Sequence, residues 1–358
     1  TVNYDDAVLQ RLNADGSTDE TFTTVSTEFL AHDFAVAPDG AGILLAGPAD
    51  YDSNVLLKVT ADGVPDATFG TDGVLQVDAS SELVVVEWME SGEIFLVDAS
   101  VGTYPNCFYS GIIRLDGDGT ELAFHDGVTG ILNGEVNKNL FHEGGELYLA
   151  GGQRLSIETP AHGDERMSVV GFTADGSALS SYGTDGLAQI NSLGASEVMW
   201  SMLMHSDGSV IASASAATYG VLVRFQDGEH DTAFGGDGFA DDYHSQFTKI
   251  LEDPEGRIVA LAWGGGLIRF GADGTWEEEF SPEILPGQGR DFAVDDSGRY
   301  VVAGGVVGGN GTFMLARYLD DGSLDPDFGD AGVVLGLDGK DGFAIAIHLD
   351  DAGRIVTT

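Results

Sequence analysis

Short apolar runs that alternate with polar positions, each ending at a glycine-rich turn, fill the sequence from end to end. Between Arg290 and Ala303, Phe292 and Val294 alternate with polar residues, the chain turns at 296–298, and an apolar run follows. Two such runs joined by a short glycine-containing turn predict a β-hairpin. The period of an amphipathic helix is absent, so no long helix is predicted. The pattern therefore predicts an all-β protein.

A charged Asp-Gly turn followed by a Phe-Gly pair recurs along the chain and is clearest between Met314 and Asp330. Weaker copies of this segment begin at Val8, Val55, Ile112, Val169, Val221 and Leu267. The turn glycines are Gly16, Gly63, Gly119, Gly176, Gly228, Gly274 and Gly322. They stand 46 to 57 residues apart, and the interval measured across the joined chain ends falls in the same range. This period predicts a repeat architecture of seven units.

Each unit carries the signals of four short strands. After the first hairpin comes a third strand, such as Phe313 to Leu319, and a fourth follows the Asp-Gly turn, as at Gly332 to Leu335. Four-stranded antiparallel units repeated around an axis are the plan of a β-propeller. The predicted fold class is therefore an all-β, seven-bladed β-propeller that forms a single domain over residues 1–358.

The two ends of the chain each carry part of a unit. The last hairpin, from Phe343, stops after two strands, while the N-terminus opens with a third-strand signal at Asp6 to Leu12. We therefore expect one blade to be shared between about 343–358 and about 1–30, so that pairing of the N- and C-terminal strands closes the ring and hides its edges.

The motif RLxxDGSLDxxFGxDG, followed by AxAVxxDGRIxVAG, resembles the delta-60 repeat family of bacterial β-propellers. The resemblance is strongest at Arg317 to Gly332 and at Leu222 to Gly238. It is weakest at Asp116 to Gly145, where Phe124-His125 replaces the Phe-Gly pair. The resemblance implies a secreted or cell-surface bacterial propeller, in a family whose members mostly have no assigned activity.

Acidic residues outnumber basic ones so strongly that the formal net charge is −44. Such a field repels nucleic acid and anionic membranes, so neither is expected as a partner. The charge is typical of a halophilic-like surface, and a calcium-loaded surface is the alternative. The single Cys107 excludes an internal disulfide, and no apolar run is long enough for a membrane span. We expect a monomer at an extracellular, cell-surface or periplasmic location, with its signal segment absent from this chain.

Several Asp-Gly turns place a second acid three residues after the glycine, which gives them a calcium-like appearance. The candidates are Asp15, Asp19, Asp62, Asp66, Asp321 and Asp325. A calcium ion takes six to eight oxygen ligands, more than one of these turns supplies, and Asp before Gly is also what a tight turn requires. The turns are therefore interpreted as structural, no cofactor is assigned, and calcium stays as the alternative. The aromatic residue of the Phe-Gly pair is predicted to pack between blades, at Phe69, Phe234 and Phe328 and in the variant Tyr182.

Two sets of side chains are predicted to face a ligand. If Phe34, Val86 and Phe292 on the first strands are buried between sheets, the residues that alternate with them point to the other side and line the central channel. That set is Asp33, Glu87, Lys138, Ser201, Lys249, Asp291 and His348. These groups serve either as a solvated wall or as acid and base groups. A second set lies on long loops at Asp98 to Ser110 and Gly152 to Ser168, and consists of Tyr104, Phe108, Tyr109, Arg154, His162 and Arg166.

Motifs for nucleophilic or metal chemistry are missing from the sequence. The histidines show no metal-ligand spacing, and neither a nucleophile elbow nor a P-loop is present. The sequence therefore favours a non-catalytic binding or scaffold module that holds a protein, peptide or glycan on its loop-rich face. The alternatives are an enzyme of the lyase or hydrolase kind, with its site at the channel mouth, and a calcium-stabilised adhesive surface module.

Overall fold

The computed structural model describes residues 7–50, 53–78, 82–99, 110–125, 136–143, 146–154, 165–173, 177–190, 197–216, 219–241, 245–306, 311–336 and 342–358. The chain divides into two compact units. The first contains residues 1–10 and 20–192, and the second contains residues 11–19 and 193–358.

The first unit consists of antiparallel sheets. Its strands are β1 (Val8–Leu12, whose last two residues belong to the second unit), β2 (Val25–Ser26), β3 (Asp33–Val36), β4 (Gly42–Asp50), β5 (Ser53–Thr60), β6 (Val74–Val77), β7 (Glu82–Trp88), β8 (Ile94–Ala99), β9 (Ser110–Leu115), β10 (Glu121–His125), β11 (Val136–Glu143), β12 (Glu146–Arg154), β13 (Glu165–Thr173) and β14 (Leu187–Ile190). Three four-stranded sheets have the orders β3-β4-β5-β6, β7-β8-β9-β10 and β11-β12-β13-β14. Strand β1 pairs with β2 through Val8 and Ser26.

The second unit follows the same plan. Its strands are β15 (Glu197–Met204), β16 (Val210–Ala216), β17 (Tyr219–Gln226), β18 (Glu229–His230), β19 (Ala240–Asp241), β20 (Phe247–Glu252), β21 (Ile258–Ala262), β22 (Leu267–Phe270), β23 (Gln288–Val294), β24 (Tyr300–Val306), β25 (Thr312–Tyr318), β26 (Val333–Leu335), β27 (Ile347–Leu349) and β28 (Ile355–Thr357). The sheets have the orders β15-β16-β17-β18 with β19 also on β17, β20-β21-β22, and β23-β24-β25-β26. Strand β28 pairs with β27 on one side and neighbours β1 on the other.

The prediction of an all-β chain built from four-stranded antiparallel sheets is confirmed for the described residues. Helical structure there is limited to a single 3-10 turn at Phe234–Gly236. No helix in the described ranges has the length and apolar character needed to cross a membrane.

The core lies between successive sheets, as the sheet β23-β24-β25-β26 illustrates. Phe292, Val302 and Ala316 form one row across its strands and share a buried cluster with residues of the preceding sheet. On the opposite face, Ala303 and Leu315 share a second cluster, to which Leu12, Ile347 and Ile355 also contribute. Both faces of the sheet are therefore buried against neighbouring sheets, because alternate residues of each strand point to opposite faces.

The Asp-Gly turn is closed by the side chain of its aspartate. At the last copy, Gly322 N donates to Leu319 O at 2.9 Å, and Leu319 N donates to Ser323 O at 2.8 Å. Asp321 Oδ1 accepts from Ser323 N at 2.9 Å and from Ser323 Oγ at 2.6 Å. Gly322 has a φ of 85°, a conformation that strongly favours glycine. The sequence Asp-Gly-Ser is therefore what this turn requires.

The turn glycine also contacts the aromatic ring of the preceding repeat. A Cβ placed on Gly119 would lie 2.9 Å from the Phe69 ring, and one on Gly274 would lie 2.9 Å from the Phe234 ring. A Cβ on Gly16 would likewise lie 2.9 Å from the ring of Phe328. Two independent restraints, backbone conformation and space, thus select glycine here, which explains why the turn glycines mark the repeat so regularly.

A cation on the third strand links each of several repeats to the next one. Arg317 Nε donates to Asp325 Oδ2 at 2.8 Å, and its guanidinium lies 4.6 Å from the centroid of Phe328. Its Nη1 donates to the carbonyl of Ala14 in the following turn. The corresponding carbonyl contacts are Lys58 to Gly117 at 3.2 Å, Arg224 to Ala272 at 2.9 Å and Arg269 to Asp320 at 2.7 Å. We call this arrangement of cation, carboxylate, aromatic ring and next-turn carbonyl the staple.

The repeated aromatic residues lie in the core. Phe69, Phe234 and Phe328 are fully buried, and Tyr182 is 5% exposed. The prediction that these rings pack rather than stack on a ligand is confirmed.

Candidate functional site

Five of the six carboxylates proposed as calcium ligands accept hydrogen bonds in turns or form ion pairs. Asp15 and Asp321 accept hydrogen bonds from the serine two residues later, and the hydroxyl and amide of that serine hold the pKa of each aspartate below its usual range. Asp19, Asp66 and Asp325 form ion pairs with the cation of their own repeat. Asp62 contributes its backbone carbonyl, which accepts from Thr23 N at 2.8 Å. Within the described part of the chain, none of these six carboxylates belongs to a group of three acids or histidines whose ligand atoms lie within 4.8 Å of one another.

A further cluster of three carboxylates surrounds an arginine. The carboxylates of Asp253, Glu255 and Asp320 have oxygens within 4.8 Å of one another. Arg257 Nε donates to Asp253 at 2.7 Å, and its Nη2 donates to Glu255 and to Asp320. Tyr300 Oη donates to Asp253 at 3.1 Å, and burial raises the pKa of Tyr300 to about 12, so the hydroxyl keeps its proton. The Arg257 guanidinium therefore pairs with all three carboxylates, and Asp320 also accepts from Arg269 Nη1 at 3.0 Å.

In three sheets, a side chain on the first strand accepts a hydrogen bond from a backbone amide on the first strand of the following sheet. Asp33 Oδ2 accepts from Val86 N at 3.0 Å, and Ser201 Oγ accepts from Ile250 N at 3.1 Å. Asp291 Oδ2 accepts from Ile347 N at 2.9 Å in the same way. The three acceptors occupy equivalent positions, four residues before the residue that starts the first hairpin turn. We call this contact the latch.

The latch corrects part of the channel prediction. Ser201 is 2% exposed and Asp291 is 9% exposed, so both are buried rather than solvent-facing. The pairing between Ser201 and the turn is regular, so Ser201 shares a face of β15 with Leu203. Leu203 packs in a cluster with Phe247 and Ile250 of the following sheet. The face that was predicted to line the channel is therefore packed against the next sheet.

Lys249 occupies the equivalent position in its strand and cannot accept a hydrogen bond. Its Nζ donates instead to Asp291 Oδ1 and lies 6.0 Å from the centroid of Phe292. The amide of Phe292, which a latch acceptor at position 249 would hold, donates to Asp291 Oδ1 at 2.8 Å. Asp291 therefore serves two sheets at once, and the ion pair is a component of the fold.

Glu87 differs from the latch residues because no contact among the described residues gives its carboxylate a structural role. It lies on β7 and is exposed to solvent. The protein atoms that crowd around it reduce its hydration and, together with the negative charge of Asp33, raise its pKa to about 7. Among the predicted residues whose side chains are described, Glu87 has a pKa raised to near neutrality, as a general acid or base at pH 7 requires.

His348 is half-buried on β27. Burial lowers its pKa, the nearby Asp350 raises it, and the charge of Lys249 lowers it, with a net downward shift. Its imidazole is therefore neutral at pH 7. Lys249, which also belongs to the second unit, is its cationic neighbour.

The remaining predicted residues fall partly outside the described structure. Lys138 lies on β11 and Arg154 and Arg166 lie on β12 and β13, but only their backbone positions are described. Tyr104, Phe108, Tyr109 and His162 lie outside the described residues. The predicted loop bounds are wrong at the ends, because Gly152 pairs with Met167 and Arg154 with Glu165, and because Asp98 pairs with Gly111. Strands extend into both loops and shorten them.

A pair formed by one exposed and one half-buried tryptophan was not predicted. Trp263 is 63% exposed on the turn between β21 and β22, and its ring centroid lies 5.9 Å from that of Trp200 on β15, at an interplanar angle of 57°. Within the sequence, the only local signal is a tryptophan directly before three glycines, Gly264 to Gly266. The turn belongs to the class that joins the second and third strands, on the face where ligand binding is predicted.

Comparisons with known proteins concern the fold. A family model described as a domain of unknown function (DUF5122) beta-propeller matches residues 2–22 and 296–328, two segments that each contain an Asp-Gly turn. The resemblance to a β-propeller repeat family is confirmed. A solved structure described as a streptogramin B lyase has a TM-score of 0.56 at 9% identity, over 100% of this chain and 99% of that one. At this identity the similarity shows a propeller-like fold and nothing about activity. No curated protein matches the sequence.

Proposed function

We propose that the sheets form a closed, seven-bladed ring and that the protein is a non-catalytic binding or scaffold module. Its partner contacts the face that carries the turns between second and third strands. Closure is supported in the second unit, where β28 neighbours β1 and Arg354 Nη1 lies 4.0 Å from Asp19 Oδ2. An exported, monomeric protein with a protein, peptide or glycan partner fits the strongly acidic surface.

The observation that carries the proposal is the contrast between ionisable and aromatic side chains. Asp33, Lys249 and Asp291 are engaged in latches and an ion pair, so their chemistry stabilises the fold. Trp263 exposes most of its surface on the loop-bearing face. Exposed aromatic side chains are enriched at binding sites because they supply large contact areas with little loss of conformational entropy.

The proposal is tested by asking whether a bound compound is recovered unchanged. The protein is incubated with defined sets of oligosaccharides and peptides, and the bound and free fractions are analysed by mass spectrometry. We expect at least one compound to be retained with its mass unaltered, and retention to persist in Glu87→Gln but to fall in Trp263→Ala. A compound that is converted by the wild type and left intact by Glu87→Gln contradicts a non-catalytic role.

A second candidate function is acid-base catalysis at Glu87. The raised pKa of this carboxyl and the proximity of Asp33 are the observations that favour it. In such an enzyme Glu87 takes a proton from the substrate or gives one to it, while Asp33 keeps the pKa of Glu87 high. Turnover with a bell-shaped or sigmoidal pH profile centred near 7, which shifts to lower pH in Asp33→Asn, supports this candidate over the binding module.

A further inference from the structure

The turn between β21 and β22 presents its tryptophan on a fixed backbone. The turn is closed by Ala262 N, which donates to Gly266 O at 2.8 Å. Trp263 N donates to Gln246 O at 2.7 Å, and Ser245 Oγ donates to Trp263 O at 3.1 Å, so the turn is also tied to the chain that leads into β20. A surface fixed before binding loses little conformational entropy when a partner arrives.

The indole of Trp263 is open to solvent on this turn. The residue is 63% exposed, and its ring contacts that of Trp200 in the preceding sheet, with centroids 5.9 Å apart. A Cβ added to Gly264 or to Gly266 would meet nothing within 4 Å among the described residues. The turn therefore presents a supported aromatic surface with space beside it for a partner.

Aromatic rings in this protein repeatedly lie next to one of its own cations. The Lys58 ammonium is 5.2 Å from the centroid of Trp88, and the Arg269 guanidinium is 4.2 Å from that of Phe280. Such pairs are attractive because the face of an aromatic ring carries negative potential, and tryptophan attracts a cation most strongly. In the described part of the chain, no lysine or arginine lies over the ring of Trp263. A cation at this ring therefore has to come from a partner.

The charge of the chain favours a partner of that kind. A net charge of −44 attracts basic molecules and speeds their association, whereas it repels anionic ones. The arginine of the neighbouring strand β23 does not compete for the indole. The Arg290 guanidinium lies 5.6 Å from the centroid of Phe343, which precedes β27, so it is directed toward the following sheet.

We infer that Trp263 receives a lysine or arginine side chain from a basic peptide segment of a partner protein. The charged end of such a side chain lies over the indole, and its apolar stem packs against the ring. This inference rests on the proposed binding function, and it specifies the class of partner and the residue that contacts it in the second unit.

The test uses the whole chain and three forms of one peptide. Hexalysine is the basic probe, its Nε-acetylated form keeps the stems and loses the charge, and its Nε-trimethylated form keeps the charge and loses the N–H donors. Binding is measured by isothermal titration calorimetry and tryptophan fluorescence in about 0.15 M salt, which screens distant charges. We expect the lysine and trimethyl-lysine peptides to bind, and the acetylated peptide to bind at least about tenfold more weakly.

Variants of the turn locate the contact. Trp263→Ala should weaken hexalysine binding at least about fivefold, and Trp263→Phe roughly twofold, because phenylalanine keeps a weaker aromatic face. Gly266 has no positive φ, and its added Cβ meets nothing, so side chains are tolerated there. Gly266→Lys puts a competing cation on the turn and should weaken binding, whereas Gly266→Glu should not.

The matched control is Trp276→Ala. Trp276 is 41% exposed and pairs with Phe270, at the end of β22 that lies away from Trp263. We expect this variant to bind hexalysine within about twofold of the wild type, and all variants to melt at the wild-type temperature, because exposed positions contribute little to stability.

Several results overturn the inference. It is refuted if hexalysine does not bind, or if it binds Trp263→Ala as tightly as the wild type, since the attraction then comes from the acidic surface at large. Equal binding of the acetylated peptide refutes a cation at the ring. Retention of a neutral oligosaccharide alone, lost in Trp263→Ala, refutes the basic partner and leaves the proposed binding face standing. Conversion of a bound compound that stops in Glu87→Gln refutes the non-catalytic function itself.

Discussion

Replacing Arg317 with methionine is expected to destabilise the protein measurably. The change keeps the length and apolar character of the side chain and removes the guanidinium that joins Asp325, Phe328 and the carbonyl of Ala14. Breaking a buried ion pair on one side typically costs about 3–5 kcal/mol. Asp325 keeps a weaker partner in Arg299, whose Nη1 lies 3.6 Å from Asp325 Oδ2. We therefore expect a cost of about 3 kcal/mol, at the lower end of that range.

That cost translates into a shift of the melting temperature. The unfolding entropy of a globular protein is about 2.1 cal/mol/K per residue, which gives roughly 0.75 kcal/mol/K for 358 residues that unfold together. A loss of about 3 kcal/mol thus lowers Tm by about 4 °C. Differential scanning calorimetry measures this shift. The pair is buried, so high salt should reduce the effect only slightly.

Two further variants separate the ion pair from other effects. Arg290→Met removes an exposed arginine and should lower Tm by less than about 1 °C. Adding Asp325→Asn to Arg317→Met should recover about 1–2 kcal/mol relative to the sum of the single changes, because a neutral amide replaces an unpaired buried charge. A Tm for Arg317→Met equal to that of Arg290→Met, or a double variant with strictly additive losses, refutes the staple as a stabilising element.

Three other predictions follow from the turns and from Glu87. Gly16→Ala places a Cβ 2.7 Å from Val334 and holds alanine at a φ of 85°, so it should lower the free energy of unfolding by about 2–4 kcal/mol. Gly40→Ala, at a φ of 68°, meets nothing within 4 Å and should lower it by only about 1 kcal/mol. Calorimetry compares the two variants. The folded-state pKa of Glu87, about 7, lies above its ordinary value of 4.5, so its contribution to stability is present at low pH and is lost as pH rises from 4.5 to 7. Tm should fall less over that range in Glu87→Gln, and an unchanged slope contradicts the assignment. Millimolar calcium should raise Tm no more than magnesium at equal concentration, because the turn carboxylates already accept hydrogen bonds or pair with cations of the protein. A calcium-specific rise in Tm that a chelator reverses would contradict this and indicate a calcium site in these turns.

The repeat was predictable because its signals are local. The Asp-Gly-Ser turn depends on a positive φ at Gly322 and on hydrogen bonds from Ser323 to Asp321, all within three residues. The burial of Phe328 followed from its fixed distance after that turn. These features act on neighbouring residues, so the sequence pattern carries them directly.

The candidate site was only partly predictable, since it depends on contacts between sheets. Ser201 was expected to face solvent, but its face of β15 packs against the following sheet and its hydroxyl forms a buried latch. The sequence predicted a loop from Gly152 to Ser168, but Gly152 pairs with Met167 on the neighbouring strand, so the loop is shorter. The ring contact of Trp200 with Trp263 joins two sheets and has no counterpart in local sequence.

The staple has a direction, and this has a consequence for assembly. In the four described staples the donor comes from one repeat and the carbonyl from the next, as with Arg269 and Asp320 or Arg317 and Ala14. Contacts of this head-to-tail kind do not satisfy themselves in pairs, and they either return to their start or continue from molecule to molecule. A variant that lacks residues 1–22 would leave Arg317 and the ring of Phe328 without the turn at Gly16. Such a molecule can accept the turn of an intact copy but has no turn of its own to give, so in a mixture it should bind one intact molecule and end any head-to-tail chain rather than lengthen it.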